Sequence, residues 1–210
     1  MKNAEEFLNA IDAVRIQRIH DISEIKRLYC NSSQSDPRGI MSKSAIVLSY
    51  AHWEGFYNEC AKTYLKFLDR LNKPLSTIDW SLLLGLLNSS FDSLRDKNHS
   101  IEAKHEFVEN LKNTIKHGAK HYDTNVLLAR SNLNFEKIKI NFLIMSFKLD
   151  KLHKYRLKID NEVVGWRHGI AHGNDPDLSL LDLEKHLDLI RDLLLVVADI
   201  FQDEIVNRAD

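Results

Sequence analysis

Eight mostly large side chains, Ile46, Tyr50, Trp53, Tyr57, Cys60, Tyr64, Phe67 and Leu71, follow one another at alternating intervals of four and three residues. At helical pitch they fall on one stripe running for about seven turns. A seam of this length, rich in aromatic rings, cannot stand in water and is best covered by other helices. A second seam answers it near the C-terminus, where Leu180, Leu183, Leu187, Ile190, Leu194, Val197 and Phe201 are spaced 3-4-3-4-3-4. The two together predict an all-α protein built as a helical bundle. Seven glycines and three prolines in 210 residues agree, because sandwiches and barrels need far more turn residues.

Further helices are read around these two. Residues 4–29 carry Leu8, Ile11, Ile22, Ile25 and Tyr29 at helical spacing, and the first seamed helix spans 41–72, ending at Asn72-Lys73-Pro74. Between 76 and 122 the pattern gives two helices. The first is capped by Ser76 or Asp79, a loop lies near 92–98, and the second has Ile101, His105, Val108, Leu111 and Ile115 on one face. Asn134 reads as the N-cap of a helix with Phe135, Ile138, Phe142 and Met145. A shorter helix is expected from Asp160 through Trp166, and Ser179 with Asp182 resembles a capping box for the last one. The length favours a single domain over 1–210, with a helical insertion at about 76–130.

Charge and cysteine content narrow the function. The net charge is −1, which excludes a global nucleic-acid signature. The charge is nevertheless segregated. Residues 137–168 carry eight Lys or Arg against three acids, residues 169–210 carry three against ten, and the two stretches meet at Arg167 and His168. Cys30 and Cys60 cannot make a disulfide scaffold or a four-thiolate zinc site, and are expected to pack as small apolar residues. No apolar leader opens the chain and its longest uncharged stretch is too short for a bilayer, so a soluble cytoplasmic protein is expected, with no membrane partner.

The chain holds no HExxH, CxxC, P-loop or GxSxG motif. Its chemistry-bearing segment is Gly165-Trp166-Arg167-His168-Gly169-Ile170-Ala171-His172-Gly173-Asn174, in which three of the seven glycines recur at every fourth residue. On a helix face such glycines admit a close backbone approach, as at a subunit contact, at about 1 kcal/mol each relative to Ala. An Arg beside a His suits phosphodiester cleavage. The guanidinium stabilises charge on the phosphorane and the imidazole moves protons near neutral pH. RNA supplies its own 2′-OH nucleophile, so no metal and no cofactor is called for. The plainer reading is an Arg salt bridge beside a helix-terminal His. In a regular helix Arg167 and His172 lie about 140° apart, so they converge only if the helix ends near Gly173 or a two-fold axis joins two copies. The i,i+4 pairs His117/His121 and His168/His172 can also chelate zinc, but spacing marks no third ligand.

The string Trp166 to Asn174 resembles the R-x4–6-H motif of the HEPN superfamily, with Arg167 and His172 in the two motif positions. Ala45–Leu68, with its Ala51-His52-Trp53-Glu54-Gly55 run, is similar to the second-helix signature of the MAE-type and RiboL-PSP-type bacterial branch, and Ser131-Asn132-Leu133 to a further signature of it. His168 stands where the motif usually has Asn.

The resemblance implies a helical bundle, a homodimer with both motifs at its interface, and a metal-independent endoribonuclease acting as a toxin or in anti-phage defence. The alternative is a non-catalytic module that binds RNA or a partner protein such as an antitoxin. On this reading Arg167 and His172 are catalytic, His168 and Glu54 support them, and Lys148, Lys151, Lys154, Arg156, Lys158 and Asn174 bind RNA.

Overall fold

A computed structural model of the chain describes residues 2–30, 36–71, 73, 79–117, 122, 124–128, 132–174, 176–179 and 181–209. Among them every regular element is helical. The chain is an all-α bundle, as the two seams require. Helix α1 spans Lys2–Cys30, α2 Ile40–Leu71, α3 Leu82–Leu86, α4 Asn88–Asp96, α5 Ile101–His117 and α6 Phe135–Met145. Short helices α7 (Asp150–His153) and α8 (Arg156–Lys158) lead into a π-helical stretch, Ile159–Gly165, that continues as α9 (Trp166–Ala171). Helix α10, Leu183–Ala209, closes the chain.

Helix α2 lies at the centre, packed against α1 on one side, α10 on another and α9 near its first half. Its seam residues Ile46, Tyr50, Trp53, Tyr57, Cys60, Tyr64 and Phe67 are all buried. The α10 seam meets them, with Leu183, Leu187, Ile190, Leu194, Val197 and Phe201 buried; Leu180 lies outside the described residues. Phe201 is the hub, edge-on to Tyr57 and Tyr64 at 6.0 Å and to Phe147 at 5.1 Å between ring centres. Such edge-to-face pairs add about 0.5–1.5 kcal/mol each beyond area burial. Asn141 is one of the polar residues buried in the bundle. The Asn141 amide donates to the Tyr57 hydroxyl at 2.9 Å and to the Leu127 carbonyl at 2.7 Å, locking α6 and the 124–128 turn onto α2.

Several local expectations are met and several are not. Asn134 caps α6, its Oδ1 accepting from the Lys137 N–H at 2.8 Å. The last helix starts at Leu183, and its cap is Asp182, whose carboxylate accepts from the Lys185 N–H at 3.1 Å, so there is no box with Ser179. Asp79 pairs with the Arg208 guanidinium at 2.8 Å instead of capping a helix; Ser76 lies outside the described residues. The loop foreseen at 92–98 begins only after Asp96. Ile101, Val108 and Ile115 of α5 are exposed, and the buried side is turned to Ala103, Phe107 and Leu111. The reason is that α5 packs chiefly on α4, where Phe107 stacks on Phe91 at 5.1 Å. Leu83 and Leu87 bury a small cluster there with Leu86 and Leu111, separate from the main core. Cys60 is buried as expected, whereas Cys30 is exposed beside Glu184.

Candidate functional site

The Arg167–His172 segment sits on α9, and three supports decide where α9 lies. At its start, the π-helical stretch is tied to α6 by Asp160, whose carboxylate accepts from the Phe135 N–H at 2.8 Å. In the middle, Trp166 packs on the His186 ring at 5.4 Å, and His186 Nε2 lies 3.2 Å from the Ser49 hydroxyl of α2. That hydroxyl donates its one proton to the Ile46 carbonyl at 3.0 Å, so the His186 Nε2 must carry the hydrogen. Its Nδ1 is buried with no partner among the described residues. Burial accordingly pulls the imidazole down to about 4.

The end of α9 is set by glycine. Gly173 adopts φ +72°, its N–H donates to the Ile170 carbonyl at 3.1 Å, and the Asn174 N–H donates to the Gly169 carbonyl at 2.9 Å. These two bonds are a Schellman ending. His172 is the last residue before the reversal and is exposed. The other two glycines also have uses inside the chain. A Cβ on Gly169 would stand 3.2 Å from Pro176, and one on Gly165 would stand 3.1 Å from the Asp160 carbonyl. Each of the three glycines thus has a local role within the chain.

Arg167 points from α9 toward α2. Its guanidinium carbon lies 4.7 Å from the centre of the Tyr50 ring, a cation–π contact. The Tyr50 hydroxyl accepts from the Leu133 N–H at 2.9 Å and donates to the Glu54 carboxylate. Burial, reinforced by Glu54, pushes this hydroxyl well above its ordinary range, so it remains a proton donor at neutral pH. The Leu133 carbonyl in turn accepts from Trp53 Nε1 at 3.4 Å, and the Leu133 side chain is fully buried. Tyr50 and Trp53 thus clamp the backbone at Leu133. This gives two of the three short sequence signatures a shared physical basis; Ser131 lies outside the described residues.

Of the residues singled out from sequence, Arg167 and Glu54 are brought to one place, on either side of Tyr50. The His168 and His172 rings lie 4.4 Å apart, tilted by 54°, and both are exposed. Among the described residues no hydrogen bond or ion pair joins Arg167 to either histidine, and no group of three metal-ligating side chains occurs to complete a zinc site. His121 lies outside the described residues. Lys148, Lys151, Lys154, Arg156, Lys158 and Asn174 are all exposed. Lys151 pairs with Asp203 of α10 at 2.6 Å, and Lys148 and Lys151 line a groove of about 220 Å³ together with Asp150, Asp203 and Glu204. Arg156 lies over the Phe135 ring at 5.9 Å and Lys154 over Tyr155 at 4.9 Å. Tyr50 and His186 were not foreseen as site residues. Both sit on the bundle seams, where an aromatic or half-polar residue at a core position carries no mark of a second role.

Comparison with known families supports what this geometry points to. The family profile of RiboL-PSP-HEPN matches residues 14–203. The chain belongs to the RiboL-PSP-HEPN family. The matched span runs from α1 to near the end of α10, and so includes the Tyr50–Glu54 pair, the Leu133 clamp and the whole of α9. HEPN domains are all-α, commonly bind RNA and commonly dimerise, and RNases are found among them. No curated protein and no solved structure matches the chain significantly. No helix among the described residues is long and apolar enough to cross a membrane.

Proposed function

We propose that this HEPN protein is an endoribonuclease that cleaves RNA between two copies of the chain, without a metal ion. The observation that supports this most is the state of Arg167: it is half-buried, held on an aromatic face, and has no carboxylate partner among the described residues. A cation held in that way keeps its N–H donors for an incoming anion. A few residues on, the exposed His168–His172 pair ends α9. In the reaction Arg167 stabilises the scissile phosphate. His172 takes the proton from the 2′-OH as that oxygen attacks phosphorus, and an acid returns one to the departing 5′-oxygen, leaving a 2′,3′-cyclic phosphate. His168 and Glu54 support these two residues. Lys148, Lys151, Lys154, Arg156, Lys158 and Asn174 contact RNA outside the scissile bond.

Within one chain Arg167 faces α2 while His172 faces solvent, so the second copy completes the site by bringing its own His172 to this Arg167. The surface that suits it is the outer face of α2. Met41, Ser44, Leu48 and Ala51 lie there at 3-4-3 spacing, all exposed, with Leu48 at 50%. Small residues between larger apolar ones allow two helices to meet closely. The cellular role is that of a toxin or anti-phage effector, kept in check by an antitoxin protein where one is present.

The test is purified protein with a defined RNA, with and without EDTA, and a search for 2′,3′-cyclic ends. Cleavage that resists EDTA and disappears in both Arg167→Ala and His172→Ala supports the reading. Cleavage unchanged in both variants refutes the mechanism. RNA binding without cleavage assigns the chain instead as a non-catalytic RNA-binding module. Growth arrest on expression of the wild type but not of His172→Ala supports the toxin role.

A further inference from the structure

Tyr50 stands between the two charges of the site. Its ring face carries Arg167 at 4.7 Å, and its hydroxyl is fixed from two sides, by the Leu133 N–H at 2.9 Å and by the Glu54 carboxylate. A ring so fixed cannot swing. It ties α9 to α2 and to the segment before α6 through a single side chain. Its chemistry also matters. A carboxylate beside a guanidinium takes two of its N–H donors and neutralises it, whereas an aromatic face attracts the cation and leaves the donors in the guanidinium plane unused. Glu54 shares the same phenol, its carboxylate accepting from the Tyr50 O–H. We infer that Tyr50 is a positioning residue, holding Arg167 on its ring and Glu54 on its hydroxyl so that the guanidinium stays available to a phosphodiester oxygen. This rests on the ribonuclease reading for its purpose, but the arrangement itself can be measured without catalysis.

Two readouts separate the inference from that reading. The first uses the full chain labelled with 15N-arginine, with the Arg167 Nε–Hε resonance assigned by its loss in Arg167→Lys. Ring-current displacement of this resonance is expected in the wild type and in Tyr50→Phe, and its collapse to the position of exposed arginines in Tyr50→Leu. Titration with inorganic phosphate moves it in the wild type and not in Tyr50→Leu. The second readout is affinity for an uncleavable 2′-O-methyl RNA. Tyr50→Phe frees Glu54 to pair with Arg167 and weakens binding about tenfold, the worth of one modest charge-assisted contact.

Adding Glu54→Gln to Tyr50→Phe restores binding. It does not restore stability, because the Leu133 N–H still lacks its acceptor, so rescue of affinity alone is an outcome that a merely structural role does not give. Binding by Tyr50→Phe equal to wild type, a defect that Glu54→Gln leaves in place, or an Arg167 resonance indifferent to Tyr50→Leu overturns the inference. If the wild type neither binds nor cleaves RNA, the ribonuclease reading falls, and the resonance and phosphate titration still decide the role of Tyr50.

Discussion

Acidification acts on this bundle through His186. Its ring is 2% exposed, donates through Nε2 to Ser49, leaves Nδ1 unsatisfied and supports Trp166 of the site helix. Burial lowers it from 6.5 to about 4 in the folded chain. A group whose folded value is depressed binds its proton more readily when unfolded. The stability tied to it is therefore complete above about pH 6.5 and is lost as the pH falls toward 4. At about 1.4 kcal/mol per pH unit, the whole window is worth about 3 kcal/mol, and the part between pH 7.5 and pH 5 about 2 kcal/mol. His52 adds to it with the same sign, lowered by its burial and by the neighbouring Arg18 cation. For a chain of 210 residues 2 kcal/mol corresponds to a fall of roughly 4–8 °C in Tm. Urea unfolding followed by tryptophan emission, at pH 7.5 and pH 5, measures it in the wild type and in His186→Gln, which cannot take up the proton. The variant starts lower and should lose about 2 kcal/mol less between the two pH values. Equal losses in the two proteins, or an NMR titration of His186 near 6.5, would refute the reasoning. Because His186 lies under Trp166, the same acid step should also loosen α9 and the Arg167 it carries.

Three further outcomes are expected. Gly173→Ala places a Cβ in open space but at φ +72°, so its cost is purely conformational, about 1 kcal/mol in urea unfolding; no change in stability would mean that α9 does not end in the Schellman turn. Asn141→Ala leaves the Leu127 carbonyl without its buried donor and removes the Tyr57 partner, and should cost about 3 kcal/mol by the same measurement, a loss under 1 kcal/mol arguing against the bond pair. If the proposed dimer forms through the outer face of α2, Leu48→Asp should sediment as a monomer and Ile115→Asp on α5 should sediment as the wild type does; the reverse pattern would move the interface away from α2.

Most of the architecture was legible in the residues because the signal was redundant. The α2 and α10 seams each repeat over many turns, and a helix that long buries the face its periodicity marks. Legibility failed where an element is short or has few neighbours. Ile101, Val108 and Ile115 mark a plausible inner face, but α5 meets mainly α4, so the face that is buried is the one carrying Phe107. The cap of the last helix was read three residues early because Ser179 and Asp182 have equal claims in a string of letters. Only the direction of the Lys185 N–H separates them.

The site shows the same division. Arg167, His172, His168 and Glu54 stand out by type and spacing, and the motif that contains them needs no coordinates to be noticed. The glycines beside them have local roles that their spacing does not reveal. Periodicity shows that a residue lacks a Cβ and says nothing of what lies opposite, and here Pro176, the Asp160 carbonyl and a left-handed turn account for all three. Within the charge run of 148–158, Lys151 is answered by Asp203 from a helix some fifty residues away, a pairing that spacing does not mark. What the sequence determined alone is the set of long helices and the buried faces of α2 and α10, which follow from local periodicity and residue type, while its short motifs carried the resemblance to the family. What only the tertiary structure decided is which side chains meet between segments: Arg167 on Tyr50, Tyr50 on the Leu133 backbone, Trp166 on His186. Those contacts depend on how α9 is placed against α10 and against Tyr50 of α2, the latter more than a hundred residues away in the chain.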